Sequence, residues 1–183
     1  QTATRVADLD IASRLSFFLW GAPPDQELID LAKSGRLTAP GMIEKQAQRL
    51  LADPRAEALG MRFAAQWLRL QDLDKVKPDP NFLPHFAAHV AAMKRETELF
   101  FNDLVKRDKS FMDFFTADYT FVNERLARHY GIPNVAGTQF RRITYPDATR
   151  RGILGHGSVL VQTSLANRTS PVLRGKWVME VLL

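Results

Sequence analysis

The sequence predicts an all-α protein with about eight helices and at most one or two short strands. Apolar residues recur at three- and four-residue steps along most of the chain, which is typical of amphipathic helices. Glycine, proline and small polar residues divide these stretches at positions that suit helix starts and ends. Only "TQFRRITYP", residues 138–146, alternates β-branched and aromatic residues as a strand does.

The first half of the chain predicts four helices. They are "VADLDIASRLSFFLW", with Asp8 as its cap and Gly21 as its end, "PDQELIDLAKSGRL", "TAPGMIEKQAQRLLADP" and "RAEALGMRFAAQWLRLQDL". The stretch that follows, "DKVKPDPNFLPH", contains three prolines and predicts a linker. We therefore expect an N-terminal helical lobe over residues 1–76 and a C-terminal helical lobe over residues 77–183.

The second half begins with the longest predicted helix, "HFAAHVAAMKRETELFFNDLVKRD". Short helices are predicted in "SFMDFFTAD" and in "TFVNERLARHYG", where Gly131 suits a C-cap. Ser170 as N-cap and Pro171 at the first helical position predict a last helix, "SPVLRGKWVMEVLL", with Trp177 buried. Three glycines in "GILGHG", residues 152–157, allow backbones to approach closely.

Composition excludes several classes of protein. The net charge is +5, but Lys and Arg are scattered beside Asp and Glu, which favours solvated helix faces over a nucleic-acid surface. No run of eighteen apolar residues predicts a membrane span. The chain has no cysteine, so it carries no disulfide, thiolate nucleophile or covalently attached c-type haem. "QTATRVADLD" has no signal-peptide pattern and no initiator Met, so we expect either a fragment of a longer chain or a mature piece.

The histidines give the few candidates for chemistry. His85 and His89 lie four residues apart and could share a metal on one helix face, but two surface histidines are the favoured interpretation, and no metal site is predicted. His129 suits the C-terminal end of its helix. His156 lies between Gly155 and Gly157, where a planar cofactor or a backbone could approach the imidazole.

A basic cluster precedes and enters the last helix. Arg168, Arg174 and Lys176 could bind an anion at this helix start, or they could pair with local carboxylates and cap the helix. No phosphate loop, nucleophile elbow or dinucleotide fingerprint occurs, so no catalytic residue is predicted.

Three segments carry a family resemblance. "ADYTFVNERLARHYGIP", "FRRITYPDATRRGILGHGSVLVQTS" and "NRTSPVLRGKWVMEVLL" resemble the DUF1592 and DUF1588 modules, domains of unknown function found in planctomycetes and related bacteria. The resemblance implies export to the periplasm or the cell surface. It also implies flanking segments with Cys-x-x-Cys-His haem motifs, one before and one after these residues. This chain contains neither motif, so the resemblance implies a truncated middle piece whose last helix continues beyond Leu183.

We therefore expect a helical scaffold within a multi-domain c-type cytochrome-like protein that supports electron transfer or an unidentified oxidation. His156, Arg168, Arg174 and Lys176 are the expected cofactor-binding residues, facing the haem of a neighbouring domain. The expected partners are these haem-bearing domains and other periplasmic redox proteins. Any enzymatic activity would be that of an oxidoreductase acting through haem outside this chain. The alternative is a carbohydrate- or surface-binding interaction module without a redox role.

Overall fold

The computed structural model describes residues 6–81 and 83–183. The chain divides into two compact units, Gln1–Arg62 and Phe63–Leu183. This division falls before the proline-rich stretch rather than within it, where the sequence places the lobe boundary between residues 76 and 77. Trp67 helps to explain the difference, because its indole Nε1 donates to the Val181 carbonyl at 2.8 Å and so joins residues before the prolines to the C-terminal unit.

The first unit is helical throughout its regular elements. They are α1 (Asp8–Trp20), α2 (Gln26–Lys33), α3 (Met42–Ala52), a 3₁₀ turn (Pro54–Ala56) and α4 (Glu57–Leu59). Asp25 caps α2 by accepting from the Leu28 N–H, and Arg49 of α3 binds the same carboxylate through both terminal nitrogens at 2.7 and 3.0 Å. The hydrogen bond from Arg49 lowers the pKa of Asp25. This pair fixes α3 against the start of α2.

Several helix boundaries differ from those predicted. Ala7, not Asp8, is the N-cap of α1, and α3 begins at Met42 after a left-handed Gly41 rather than at Thr38. The single helix predicted over residues 55–73 is broken. It contains a π-helical turn at Gly60–Ala64, α5 (Ala65–Trp67) and, after a left-handed Arg69, a 3₁₀ segment at Leu70–Lys75.

The second unit is built on one long helix, α6 (Phe86–Lys106). The elements that follow it are α7 (Asp113–Thr116), β1 (Tyr119–Val122), α8 (Glu124–Tyr130), β2 (Arg141–Thr144), a 3₁₀ turn (Ile153–Gly155), α9 (Gly157–Gln162), α10 (Pro171–Trp177) and a π-helical turn (Val178–Leu182). The predicted caps Gly131, in the left-handed conformation, and Ser170, which accepts from the Leu173 N–H, are confirmed.

The two strands form a small antiparallel sheet over α6. Tyr119 pairs with Thr144 and Val122 with Arg141. Strand β2 lies in the segment predicted as extended, whereas residues 120–122 of β1 lie in a stretch that the sequence assigns to a helix. Met93 of α6 packs with Val122, Leu126 and Ala127 in a buried cluster. This core fixes α8 and the sheet on one side of α6.

The predicted fold class is confirmed, since the described residues are mainly helical and contain two short strands. Among these residues, none of the helices combines the length and the apolar character that a membrane crossing needs.

Candidate functional site

His156 lies in the interior of the second unit. It is the N-cap residue of α9 and its side chain is fully buried. Its Nδ1 lies 3.0 Å from the Thr97 Oγ1, and its ring meets Phe100 edge-on at a centroid distance of 4.8 Å. The expectation that His156 presents an open surface to a planar cofactor is therefore wrong.

The neighbours of His156 determine which of its ring nitrogens carries the proton. Thr97 donates to the Met93 carbonyl at 3.3 Å, so its oxygen can accept from Nδ1–H of His156 and from the Ser158 hydroxyl at 2.7 Å. Nε2 has no partner among the described residues. A buried N–H without an acceptor is costly, so this arrangement favours the proton on Nδ1. Burial, assisted by the charge of Arg150, lowers the pKa of His156 to about 3. The imidazole is thus neutral near pH 7.

Two glycines make this interior arrangement possible. A β-carbon on Gly157 would lie 2.8 Å from the Tyr130 hydroxyl and 3.0 Å from the Met93 Cε. Gly152 has φ +51°, and a β-carbon there would lie 2.4 Å from the Phe115 backbone. The predicted close approach of backbones in this segment is confirmed. It serves helix and loop packing around His156.

A second buried ionisable group is the carboxyl of Glu96 on α6. It is next in sequence to Thr97, which contacts His156. Its carboxylate accepts from the Thr120 hydroxyl at 2.6 Å and from the Tyr130 hydroxyl at 2.5 Å. Tyr130 in turn accepts from the Gly157 N–H at 2.7 Å. Burial raises the pKa of Glu96 to about 7, against the opposing effects of these hydroxyls and of Arg150. The carboxyl group can therefore gain or lose a proton near neutral pH.

Arg150 is the cation whose charge acts on both Glu96 and His156. Its guanidinium lies over the Tyr130 ring, 4.2 Å from the centroid, and its Nη1 donates to the Gly155 carbonyl at 2.8 Å. We call Glu96, Thr97, Thr120, Tyr130, His156 and Ser158, together with Arg150, the buried network. It joins α6, β1, α8 and α9, and its Glu96 and His156 side chains are closed to solvent.

Sequence reasoning missed Glu96. The residue lies three positions after Met93 and four before Phe100, which places it on the buried stripe of α6. A carboxylate on a predicted core stripe needs partners, and that conflict was the available signal. The partners themselves come from distant segments, so no local pattern names them.

The basic cluster lies elsewhere, at the last helical segment. Arg168 and Lys176 are exposed, Arg174 is half-buried and its Nε lies 3.5 Å from the Thr163 Oγ1, and Lys176 lies 3.6 Å from Glu180. The structure thus separates His156, in the interior, from the three basic residues with which the sequence groups it.

The last helical segment has two contrasting faces. Trp177 and Val181 are buried at 7% and 9% exposure, which confirms the predicted burial of Trp177. Val172 and Met179 are 81% and 68% exposed. Val172, Lys176 and Met179 follow helical spacing, so they form one outward stripe that combines apolar and basic side chains. We call this the outer stripe.

A pocket of about 650 Å³ opens between the start of α6 and the length of α8. His85, His89 and His129 line it, together with Glu124 and two arginines. The rings of His89 and His129 lie 5.1 Å apart. Burial, then the neighbouring His89 and Arg150, lower the pKa of His129. Over residues 6–81 and 83–183, no three or more His, Asp or Glu side chains are grouped so that they could hold a metal ion.

These features define a mainly helical domain with a buried ionisable network and an exposed basic segment. The model of a protein family of unknown function, DUF1592, matches residues 6–132, and that of a second family of unknown function, DUF1588, matches residues 150–183. The chain belongs to the DUF1592 family and carries a DUF1588 segment at its C-terminal side. Neither the curated proteins nor the solved structures gave a match.

Proposed function

We propose that this chain is a helical scaffold within an exported, multi-domain c-type cytochrome-like protein, and that it supports electron transfer or an oxidation carried out by neighbouring haem domains. The observation that carries the proposal is the outer stripe, with Arg168 and Arg174 beside it. Exposed apolar side chains at helical spacing suit contact with another domain. Adjacent cations suit the anionic propionates of a haem.

Because His156 lies in the interior, the proposal limits the haem-facing residues to the basic cluster. The buried imidazole does not approach the haem, and its role is to hold α9 against α6. Arg168, Arg174 and Lys176 remain as the residues that face the haem-bearing domain. Arginine can bind a propionate through two parallel hydrogen bonds, whereas Lys176 acts as a point charge.

The test uses the full-length protein that contains these residues, purified from the periplasm or cell surface of its host. Its absorption spectrum is expected to show a Soret band. A nearby cation stabilises reduced haem, which carries one more negative charge than oxidised haem. Arg174→Ala and Lys176→Ala are therefore expected to lower the haem midpoint potential, by an amount on the order of 10–50 mV, since 59 mV corresponds to a tenfold change for one electron.

Lys109→Ala is the matched control, because Lys109 is an exposed cation outside the basic cluster. It is expected to leave the potential unchanged. A haem-free full-length protein that binds glycans would contradict the proposal and favour the carbohydrate-binding alternative. Unchanged potentials in both variants, with folding intact, would remove the basic cluster from the haem surface.

A further inference from the structure

We propose that the pocket between α6 and α8 binds a small organic oxyanion, a molecule that carries a phosphate, sulfate or carboxylate group, through Arg125, Arg128 and His129. These residues occupy positions i, i+3 and i+4 of α8, so they share one face of the helix, and all three line the pocket. Leu126 and Ala127 between them are buried in the core. The site is separate from the basic cluster and does not depend on the proposed haem contact.

The charges around the pocket favour an anion. Glu124 is the one acidic residue among the described residues that line it, and its carboxylate already forms an ion pair with Arg128 and accepts from the Gly137 N–H at 2.6 Å. Arg125 takes part in no ion pair within residues 6–81 and 83–183, so one guanidinium charge is uncompensated. The planar guanidinium presents N–H donors in a fork that matches two oxygens of a carboxylate or phosphate.

Hydrogen bonds within the chain hold both walls of the pocket. On the α8 side, the Glu124 N–H donates to the Gly137 carbonyl at 3.0 Å and the Glu124 carboxylate accepts from the Gly137 N–H, which fixes this loop against the start of the helix. On the α6 side, His89 Nδ1 lies 3.1 Å from the His85 carbonyl oxygen and donates to it, because a carbonyl oxygen only accepts. Walls that are already fixed reduce the ordering cost of binding a ligand.

The size and lining of the pocket suit an oxyanion that is attached to an organic body. Its volume of about 650 Å³ is far larger than an inorganic anion needs and falls within the range of about 300–1,000 Å³ that is typical of small-molecule sites. Leu83 and Pro84 add apolar surface to the lining, beside the polar face of α8. The charged group of the ligand is therefore expected on α8 and its body against Leu83 and Pro84.

His129 couples the binding of an anion to the uptake of a proton. Burial, then the charges of His89 and Arg150, lower the pKa of His129, so its ring is neutral at pH 7. An oxyanion beside the ring acts in the opposite direction, because a nearby negative charge raises the pKa of an imidazole. The titratable and charged groups around this ring, on α6, on α8 and in the loop before α9, are His85, His89, Glu124, Arg125, Arg128 and Arg150. Since the one carboxylate in this set is paired, affinity for a dianion is expected to rise as pH falls.

Titration of this chain with sulfate, at constant ionic strength in chloride, tests the site. Sulfate keeps both negative charges between about pH 5 and 8, whereas a phosphate ester changes charge near about pH 6. The ring-proton resonances of the histidines are expected to show saturable one-to-one binding and a raised pKa for His129. Binding is expected to be about tenfold tighter at about pH 5.5 than at about pH 7.5, since a change of one in a coupled pKa corresponds to a tenfold change in affinity.

Two variants are expected to change sulfate affinity in opposite directions. Arg125→Ala removes the uncompensated guanidinium and is expected to weaken binding at least about tenfold. Glu124→Gln removes the one carboxylate, keeps an oxygen that can accept from the Gly137 N–H and releases Arg128, so it is expected to tighten binding about fivefold. Arg151→Ala is the matched control, because Arg151 is an exposed arginine that does not line the pocket, and its affinity is expected to equal that of the wild type. Circular dichroism checks that each variant is folded.

Phenyl phosphate and phenylacetate, which place the two kinds of charged group on one apolar body, then distinguish a phosphate ester from a carboxylate ligand. Failure of both to bind more tightly than sulfate would overturn the organic part of the proposal. Equal sulfate binding by the wild type, Arg125→Ala and Arg151→Ala would show an adventitious ion only. Absence of saturable binding in the wild type, or weaker binding in folded Glu124→Gln, would also overturn the site. An unchanged pH dependence in His129→Asn would overturn the role of His129.

Discussion

Two regions that the sequence joins in one site behave in opposite ways in the structure. His156 is fully buried and surrounded by Thr97, Ser158 and Phe100. Arg168 and Lys176 are exposed at the last helical segment. The first region is a closed interior, and the second is an open surface with few polar contacts.

This difference shows what glycine next to a polar residue signals. Gly155 and Gly157 beside His156 were open to two interpretations, approach of a cofactor or approach of a backbone. The structure has the second at Gly155, where the Arg150 backbone lies 3.2 Å from the β-carbon position, and at Gly157 the side chains of Tyr130 and Met93 occupy the space that a β-carbon would need. Missing side chains next to a histidine create room, and in a packed interior the protein itself fills that room.

The largest expected effect breaks the closed interior. Gly152→Ala would place a β-carbon 2.4 Å from the Phe115 backbone and would force φ +51° on a residue other than glycine. We expect a loss of at least about 3 kcal/mol in the free energy of unfolding, or failure to fold. Urea denaturation followed by circular dichroism measures it.

Gly137→Ala is the control for Gly152→Ala, because Gly137 has φ +86° and nothing within 4 Å of its β-carbon position. This substitution introduces backbone strain without a steric clash, at a cost of about 1–2 kcal/mol in the free energy of unfolding. A Gly152→Ala protein as stable as Gly137→Ala would contradict the close packing of this segment.

A smaller, pH-dependent effect tests the charge state of Glu96 in the closed interior. The folded-state pKa of Glu96 is raised from 4.5 to about 7. Between these pH values the folded state holds a proton that the unfolded state has released, so the stability contributed by Glu96 is present below pH 4.5 and is lost as pH rises through 7. Glu96→Gln mimics the protonated group and is expected to gain roughly 3 kcal/mol relative to wild type across this window.

Denaturation midpoints at several pH values measure this gain. His156 contributes in the opposite direction, since its folded-state pKa is lowered to about 3, but it is present in both proteins and cancels in the difference. Glu98→Gln is the control, because it removes an ion pair with Arg95 on the same helix and lies outside the buried network. A pH-independent difference for Glu96→Gln would show that Glu96 is ionised throughout in the folded protein.

Helical spacing and cap residues predict the fold class, the long α6 and the caps Gly131 and Ser170, because these depend on local sequence. Strand β1 was missed because its pairing, such as Tyr119 with Thr144, joins segments far apart in the chain. The broken helix after Pro54 was missed because each of its short turns has good helix-forming residues.

The functional candidates show the same contrast between local sequence patterns and contacts between distant segments. The sequence identifies His85 and His89 as a pair along one helix, but the contact between His89 and His129 depends on how α8 packs on α6. Glu96 was visible as a carboxylate on a buried stripe, although Thr120 and Tyr130 as its partners were not. Interior chemistry depends on contacts between segments, and spacing within one segment does not specify them.

The smallest expected effect tests the exposed side of the comparison. Gly175 lies in α10, has no positive φ and has nothing within 4 Å of its β-carbon position. In this chain Gly175→Ala is expected to raise the free energy of unfolding by about 0.5–1 kcal/mol, because alanine loses less backbone entropy in a helix. Thermal denaturation measures the change, and a loss of stability would contradict an open α10 surface.

The same substitution in the full-length protein is more informative, because a domain packed closely on this surface would meet the added methyl group. Stabilisation of the chain with destabilisation of the full-length protein would show that the neighbouring domain covers α10, whereas equal stabilisation of both would show that this part of the helix stays in solvent.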